Sequence, residues 1–482
     1  MTQLDVLSID FEFSHPKDAF VFCPEGSDIL LSYSPVLDRG FINDSSPVFE
    51  PEIIFPGLPR LLSGHTDIHL REGIIRAFAD NTPNSESAFF TADLSQVYAQ
   101  HARWVKNLPD IEPFFAIKSN PDPYVLRLLA GLGAGFDCAS HNEIRQVLDL
   151  GVDPSRIIFA NPCKPTSFIR AAAKESVDMM TFDNADELVK VARSHPKAKL
   201  VIRILTDDSK SLCRLGLKFG VPLSAVPALL MKARELKLDV VGVSFHVGSG
   251  CMDPNAFGDA VGRAKQAFVM GSALGYEFKI LDVGGGFEDT EFEKMAAVLR
   301  EAIDVHFPER KNIRVIAEPG RFFVARAFTL AANIIARRVV RTDGIDEETP
   351  QVMYYINDGV YGSFNCIMFD HQTVHPYVVT LNGSFPSSSS LAREALVPCS
   401  VWGPTCDSID CVCPLVKLPS SLEVGDWLGF RGMGAYTLCA ASRFNGFETS
   451  QVVYTSGIEG SVEASAIRRV LAGMMKREAY KE

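Results

Sequence analysis

Two short stretches put reactive side chains where packing alone gives them no purpose. In WGPTCDSID, beginning at Trp402, a thiol and a carboxylate, Cys406 and Asp407, stand side by side on a turn opened by Gly403 and Pro404. A lone thiol is normally a small buried hydrophobe, and an Asp at such a turn normally closes it through the local backbone. In AIKSN, Lys118 follows four apolar residues. Partial desolvation there is expected to lower its pKa and expose a nucleophilic amine. Other apolar runs also end in polar groups: Asp137 with Glu143 shortly after it, Asn161, Asp183, Arg203, His246, the glycines Gly284, Gly285 and Gly286, then Glu318 and Arg321.

Each of these has an ordinary explanation when taken alone, since a strand-end lysine usually solvates its ammonium. Together they describe a chemistry. The amine of Lys118 can condense with an aldehyde. The turn in DVGGGF can point backbone N–H groups at an anion with no side chains in the way. In EPGRFF, Arg321 can pair with that anion and Glu318 with a protonated ring nitrogen, while His246 is placed to stack on a ring. An aldehyde acceptor, a phosphate cradle and a carboxylate for a pyridinium specify pyridoxal 5'-phosphate.

Such a set has to be carried by elements that end at one face. From Ala88 onward, short apolar runs alternate with amphipathic segments about eight times, from PFFAIK and GFDCAS through RIIFAN, DMMTFD, KLVIRI, VVGVSFHV and KILDVGGG to IRVIAEPGR. Continuous apolar strands joined by helices predict a parallel sheet, and eight units in this length predict a (β/α)8 barrel. Functional side chains of such a barrel sit at the C-terminal strand ends. The expected organisation is α/β: an irregular extension over 1–87, partly docked on a sheet; a barrel over 88–335; and an all-β domain over 336–482, completed by N-terminal residues.

The bulk properties narrow the function. A chain of 482 residues exceeds one core, so two domains are the default. A net charge of −12 argues against nucleic acid and against anionic membrane surfaces. Eleven scattered cysteines form neither a disulfide framework nor a metal-ligand spacing, so no metal is expected. No signal peptide or membrane span is expected, and a cytoplasmic location follows.

The motifs PFFAIKSN, GFDCAS, FHVGSG, LDVGGGF, AEPGRFF, NDGVYGSFNC, WGPTCDSID and MGAYT are collinear from about Ala88 to about Tyr454. They resemble the alanine-racemase-like (fold type III) pyridoxal-phosphate decarboxylases, above all the eukaryotic branch acting on ornithine. The resemblance implies decarboxylation of L-ornithine to putrescine and carbon dioxide, the first step of polyamine synthesis. It implies that Lys118 holds the cofactor, that His246 stacks on its ring and that Glu318 partners its nitrogen. Ser249, Gly285, Gly286, Gly320, Arg321 and Tyr436 are implied as phosphate contacts, and Asp137, Glu143 and Arg214 as residues that organise the lysine and ring. Asp358 and Asp407 would receive the distal ammonium, with Cys406 controlling reprotonation. The resemblance also implies a homodimer in which the partner subunit supplies the thiol and acid at positions 406 and 407, and a possible antizyme partner. Two alternatives stay open: a broader lysine/ornithine specificity, and a non-catalytic antizyme-inhibitor-like regulator. Regulators of that kind lose residues of the cofactor site, and the set named here is intact.

Overall fold

A computed structural model describes residues 53–80, 82, 84–340 and 349–479 of the chain. Most of the expected N-terminal extension, residues 1–52, lies outside the described residues.

Eight parallel strands close into a barrel in chain order. They are β1 (Ile111–Ala116), β2 (Gly135–Cys138), β3 (Ile157–Phe159), β4 (Met179–Phe182), β5 (Lys199–Arg203), β6 (Asp239–Ser244), β7 (Ile280–Asp282) and β8 (Arg314–Ala317). The period-2 geometry of a strand divides their side chains between two cores. Phe114, Ile158, Met179, Val201 and Ile316 meet inside the barrel and fill it. Their neighbours Phe115, Phe159, Met180, Leu200, Ile202 and Val315 point outward into the larger core beneath the helices. This is why the strand sequences read as continuously apolar. Only the loops that follow the strands are free to carry polar chemistry.

The helices start where the sequence provides caps. Ser140 and Asn184 accept N–H bonds from Glu143 and Glu187, and Asp122 accepts from Tyr124 and Val125. Each satisfies donors that the first helical turn leaves without partners.

The second body is a nine-stranded sheet. Its path runs Leu61–Leu62, Gln451–Thr455, Phe89–Asp93, Phe328–Val339, Val352–Ile356, Leu396–Trp402 and Cys411–Pro419, with Pro376–Val378 and Trp427–Phe430 joined to it at Phe328–Val339. Strand Phe89–Asp93, inside the segment 88–335, pairs in this sheet with Phe328–Val339 and Gln451–Thr455 rather than in the barrel. Short apolar strands look alike in sequence whichever sheet recruits them.

The segment expected to be β throughout ends instead in a helix, Val462–Ala479. Its buried residues Ala464, Ile467, Leu471 and Met474 recur at helical spacing. They face the barrel helices Leu94–Asn107 and Pro123–Gly131, where the missing side chain of Gly131 leaves room for Val470. Among the described residues, no helix is long and apolar enough to cross a membrane.

Candidate active site

Strand β1 ends in one 3-10 turn, Ile117–Ser119, closed by the Asn120 N–H on Ile117 O at 2.9 Å. Lys118 leaves this turn at the barrel mouth and its Nζ pairs with Asp137 at the end of β2. The acid is fully buried while the lysine side chain keeps 41% of its surface, so the amine stays reachable from above. Burial works to discharge that amine, but Asp137, Tyr436 and Glu318 outweigh it and hold the ammonium above the ordinary lysine range. The lowered lysine pKa expected from the apolar run is therefore not found. The carboxylate that raises it is also the nearest acceptor for its proton.

Glu318 ends β8 and Asp282 ends β7. Burial, then Asp282 and Asp137, push the Glu318 carboxyl well above the usual range, and burial also raises Asp282. Asp282 Oδ1 accepts the Gly284 N–H at 3.0 Å. Facing these acids are the cations of Lys118 and Arg203. Three buried oxygens, Asp137 Oδ1, Asp282 Oδ2 and Glu318 Oε1, have no hydrogen-bond partner among the described residues. Buried acceptors of this kind call for a donor. His246 is held neutral by burial, with Arg203 and Lys118 adding to the effect. Its Nδ1 accepts the Gly248 N–H at 2.9 Å, which leaves the ring proton on Nε2.

Beside the imidazole the backbone is bare. A Cβ on Gly285 would lie 2.7 Å from Glu318 O and 2.9 Å from His246 Nε2, and Gly286 has φ +103°. A Cβ on Gly320 would press on Ser119 at 3.0 Å. Ser249 lies in the short strand Ser249–Cys251, paired antiparallel with Ser211–Cys213. Arg321 pairs through Nη2 with Asp370, lies 3.3 Å from Glu288 through Nε, and sits 5.2 Å from the centre of the Tyr436 ring. The Tyr436 N–H in turn bonds Ser119 O at 2.9 Å, which ties the loop of the second domain to the lysine turn.

This arrangement fits pyridoxal phosphate. The orphaned Glu318 oxygen suits a protonated ring nitrogen. The glycines and Arg321 suit a phosphate, and the amine of Lys118 suits an aldehyde.

The expected residues do not all converge. Glu143 is part-buried and accepts the Ala139 N–H at 2.5 Å, acting as a cap at the start of its helix; desolvation raises its pKa. Arg214 is half exposed and faces Asp208, with Nε 3.6 Å from Oδ1. Arg203 is the arginine whose charge reaches His246 and Asp282. Asp358 is already occupied, since Oδ1 accepts the N–H groups of Gly359 and Ser363 in its own loop at 2.8 Å and Oδ2 accepts Ser450 Oγ at 2.9 Å. The carboxylate at the barrel mouth is instead Asp370, on Arg321. The sequence offered a cue for Asp282, directly before VGGG, and little for Asp370 at the end of CIMFD.

Cys406 and Asp407 stand apart from all of these. Cys406 is exposed and its N–H bonds Asn445 Oδ1 at 3.0 Å. Asp407 accepts the Tyr361 hydroxyl at 2.5 Å and the Ile409 N–H at 3.1 Å, so it closes an Asx-turn as well as facing outward. These bonds hold its carboxyl below the usual range. Their turn is stapled by buried Asp410, which accepts from Thr405 N, Thr405 Oγ1 and Val360 N. A Cβ on Gly403 would strike that carboxylate, which explains the glycine.

Comparison with known proteins agrees with the geometry. Residues 94–325 match the family described as pyridoxal-dependent decarboxylase, pyridoxal binding domain. The chain is 52% identical to ornithine decarboxylase of Schizosaccharomyces pombe, over 83% of this chain and 90% of that one. It is 51% identical to antizyme inhibitor 2 of Xenopus laevis, over 76% and 80%. Among solved structures, the arginine decarboxylase of Paramecium bursaria Chlorella virus superposes with a TM-score of 0.73 at 34% identity, covering 80% of this chain and 99% of that one.

Proposed function

The chain belongs to the pyridoxal-dependent decarboxylases, and we infer that it removes the α-carboxylate of ornithine as carbon dioxide and leaves putrescine. Overall likeness does not separate an enzyme from a regulator, since an antizyme inhibitor matches nearly as well as an ornithine decarboxylase. The observation that carries the reading is the intact mouth of the barrel: an accessible Lys118 on Asp137, with the unpaired oxygen of Glu318 beside a side-chain-free glycine turn.

Lys118 would hold the cofactor, His246 would cover its ring without adding charge, and Ser249, Gly285, Gly286, Gly320, Arg321 and Tyr436 would seat its phosphate. When bound, the cofactor supplies an electron sink for the pair left on Cα as carbon dioxide departs. Glu318 and Asp282 keep a proton near the ring nitrogen, so that the sink stays electron-poor. Asp137 takes and returns the proton of the Lys118 amine.

At the distal end, Asp370 and Asp407 offer carboxylates to an ammonium. Charge-assisted hydrogen bonds of this kind are roughly twice as strong as neutral ones, which disfavours substrates with an uncharged end. Cys406 is the group assigned to return a proton to Cα. Its exposure, together with that of its turn, supports a homodimer in which each subunit lends Cys406 and Asp407 to the other's barrel. All ten described cysteines are free thiols, as suits a reducing cytoplasm. Antizyme as a protein partner rests on the likeness to the Xenopus inhibitor.

The test is release of carbon dioxide from ornithine, lysine and arginine, with and without added pyridoxal phosphate. Ornithine is expected to be the preferred substrate, with putrescine as product. Preference for lysine would move the assignment to the broader specificity. Absence of both turnover and a visible bound chromophore would leave only the regulator.

A further inference from the structure

Glu288 follows the glycine triplet by one residue and has no part in the reaction above. Between them, Phe287 is clamped against Trp104 and Phe257, with ring centres 4.9 and 4.8 Å away, which fixes where the chain leaves the glycine turn. From there the Glu288 carboxylate reaches two other pieces of the cradle. Its Oε1 lies 3.3 Å from Arg321 Nε, an ion-pair contact that is not a hydrogen bond, since this Nε has no acceptor among the described residues. The Gly250 backbone, next to Ser249, favours the charged form of the same carboxylate. One part-buried acid thus lies between the glycine turn it follows and Arg321, two of the pieces assigned to the phosphate, while the backbone beside Ser249 acts on its charge.

We propose that Glu288 is a positioning residue for the phosphate cradle, holding Arg321 against the Ser249–Gly250 turn, and that phosphate docking is accompanied by proton uptake at this carboxyl. The groups facing Glu288 are Arg321 after β8, Asp370 at the end of helix Asn365–Phe369, its neighbour Asp289, and Cys213 on the strand paired with Ser249–Cys251. Only Arg321 is positive, and it already serves two acids. Burial lifts Glu288 to about 7, with Arg321 opposing and Asp370 adding to the lift. A phosphate dianion on the same guanidinium acts with the sign of Asp370. The carboxyl therefore takes a proton where the unliganded group is partly ionised, and affinity falls as pH rises.

The proposal rests on the cofactor reading above, and its test keeps the two apart. The full chain is equilibrated with graded pyridoxal phosphate, and in parallel with pyridoxal, at pH values above the phosphate's own second pKa of about 6. Wild type is expected to lose about fivefold or more in affinity for pyridoxal phosphate between about pH 7 and 9, relative to pyridoxal. Glu288→Gln, which keeps an acceptor for Arg321 but no charge, should flatten that difference. Glu288→Ala should weaken pyridoxal phosphate more than pyridoxal at every pH. Parallel pH curves for wild type and Gln, or equal weakening of both aldehydes by Ala, would overturn the proposal. Failure of wild type to bind either aldehyde would overturn the cofactor reading as well.

Discussion

At the scale of single residues, the barrel mouth trades stability for chemistry. Glu318 and Asp282 are buried acids whose pKa values are raised, so their ionised forms cost folding energy wherever a free carboxyl would be charged. Glu318→Gln should therefore raise the thermal midpoint of the cofactor-free protein by a few degrees near neutral pH, from about 1–2 kcal/mol of relieved burial. The sign follows from linkage: the gain is present above the raised pKa and vanishes below about pH 4.5, where the unfolded carboxyl is protonated too. The same variant should lose turnover. An unchanged or lower midpoint would show that the acid is fully compensated where it sits. Asp407 behaves in the opposite way, because Tyr361 and the Ile409 N–H keep its carboxylate charged and ready for a cation. Asp407→Ala should raise the KM for ornithine about tenfold or more, and an unchanged KM would remove it from the substrate site. Lys118, His246 and Glu318 could be placed at the barrel mouth from the sequence because each directly follows an apolar run that had to be a strand, and Arg321 comes three residues after Glu318. Arg214 and Asp358 show the limit. Each has a residue of its own kind within about a dozen positions, Arg203 and Asp370, and tertiary packing alone decides which of two like residues turns inward.

At the scale of elements, the turn 403–410 shows how a loop can be rigid and exposed at once. Three donors converge on the buried Asp410 carboxylate, so Cys406 and Asp407 project from a fixed frame although they face solvent. Asp410→Ala would leave buried N–H groups of Val360 and Thr405 without acceptors, at about 1–3 kcal/mol each. The expected outcome is a lower thermal midpoint together with a raised KM and reduced turnover, while Asp410→Asn, which keeps one acceptor oxygen, falls between. A destabilised variant with wild-type kinetics would mean that the staple serves folding only. The sequence displayed Asp410 two residues after Ser408 in the same motif that drew attention to the thiol. Nothing local distinguished the acid that holds the turn from the acid that uses it. The barrel strands were far easier, since burial on both faces leaves an unbroken apolar run. The strand Phe89–Asp93 misleads for the same reason, because its partners lie more than 230 residues away along the chain.

For the whole molecule, the site is assembled from parts that no single domain contains. The turn that carries Lys118 is gripped by the second domain at three points: the Tyr436 N–H on Ser119 O, Asn120 Nδ2 on Gly434 O at 2.8 Å, and the Tyr454 hydroxyl on Asp122 Oδ2 at 2.6 Å. The barrel mouth is therefore positioned from above by chain segments some 300 residues downstream, which periodicity cannot reveal. Under the proposed dimer, Cys406 and Asp407 would extend this logic beyond one chain; within their own chain Cys406 is exposed and Asp407 bonds Tyr361. If two copies exchange these turns, a variant lacking Lys118 and a variant lacking Cys406 fail for different reasons at different sites. Mixing Lys118→Ala with Cys406→Ala and allowing subunits to exchange would then create, in half of the dimers, one site with both wild-type residues and one with neither. Activity should recover to about one quarter of wild type from two nearly inactive parents, as a symmetric two-site dimer requires. Recovery that fails although subunit exchange is verified would place thiol and amine in the same chain, and would force the 403–410 turn to swing inward against the hold of Asp410.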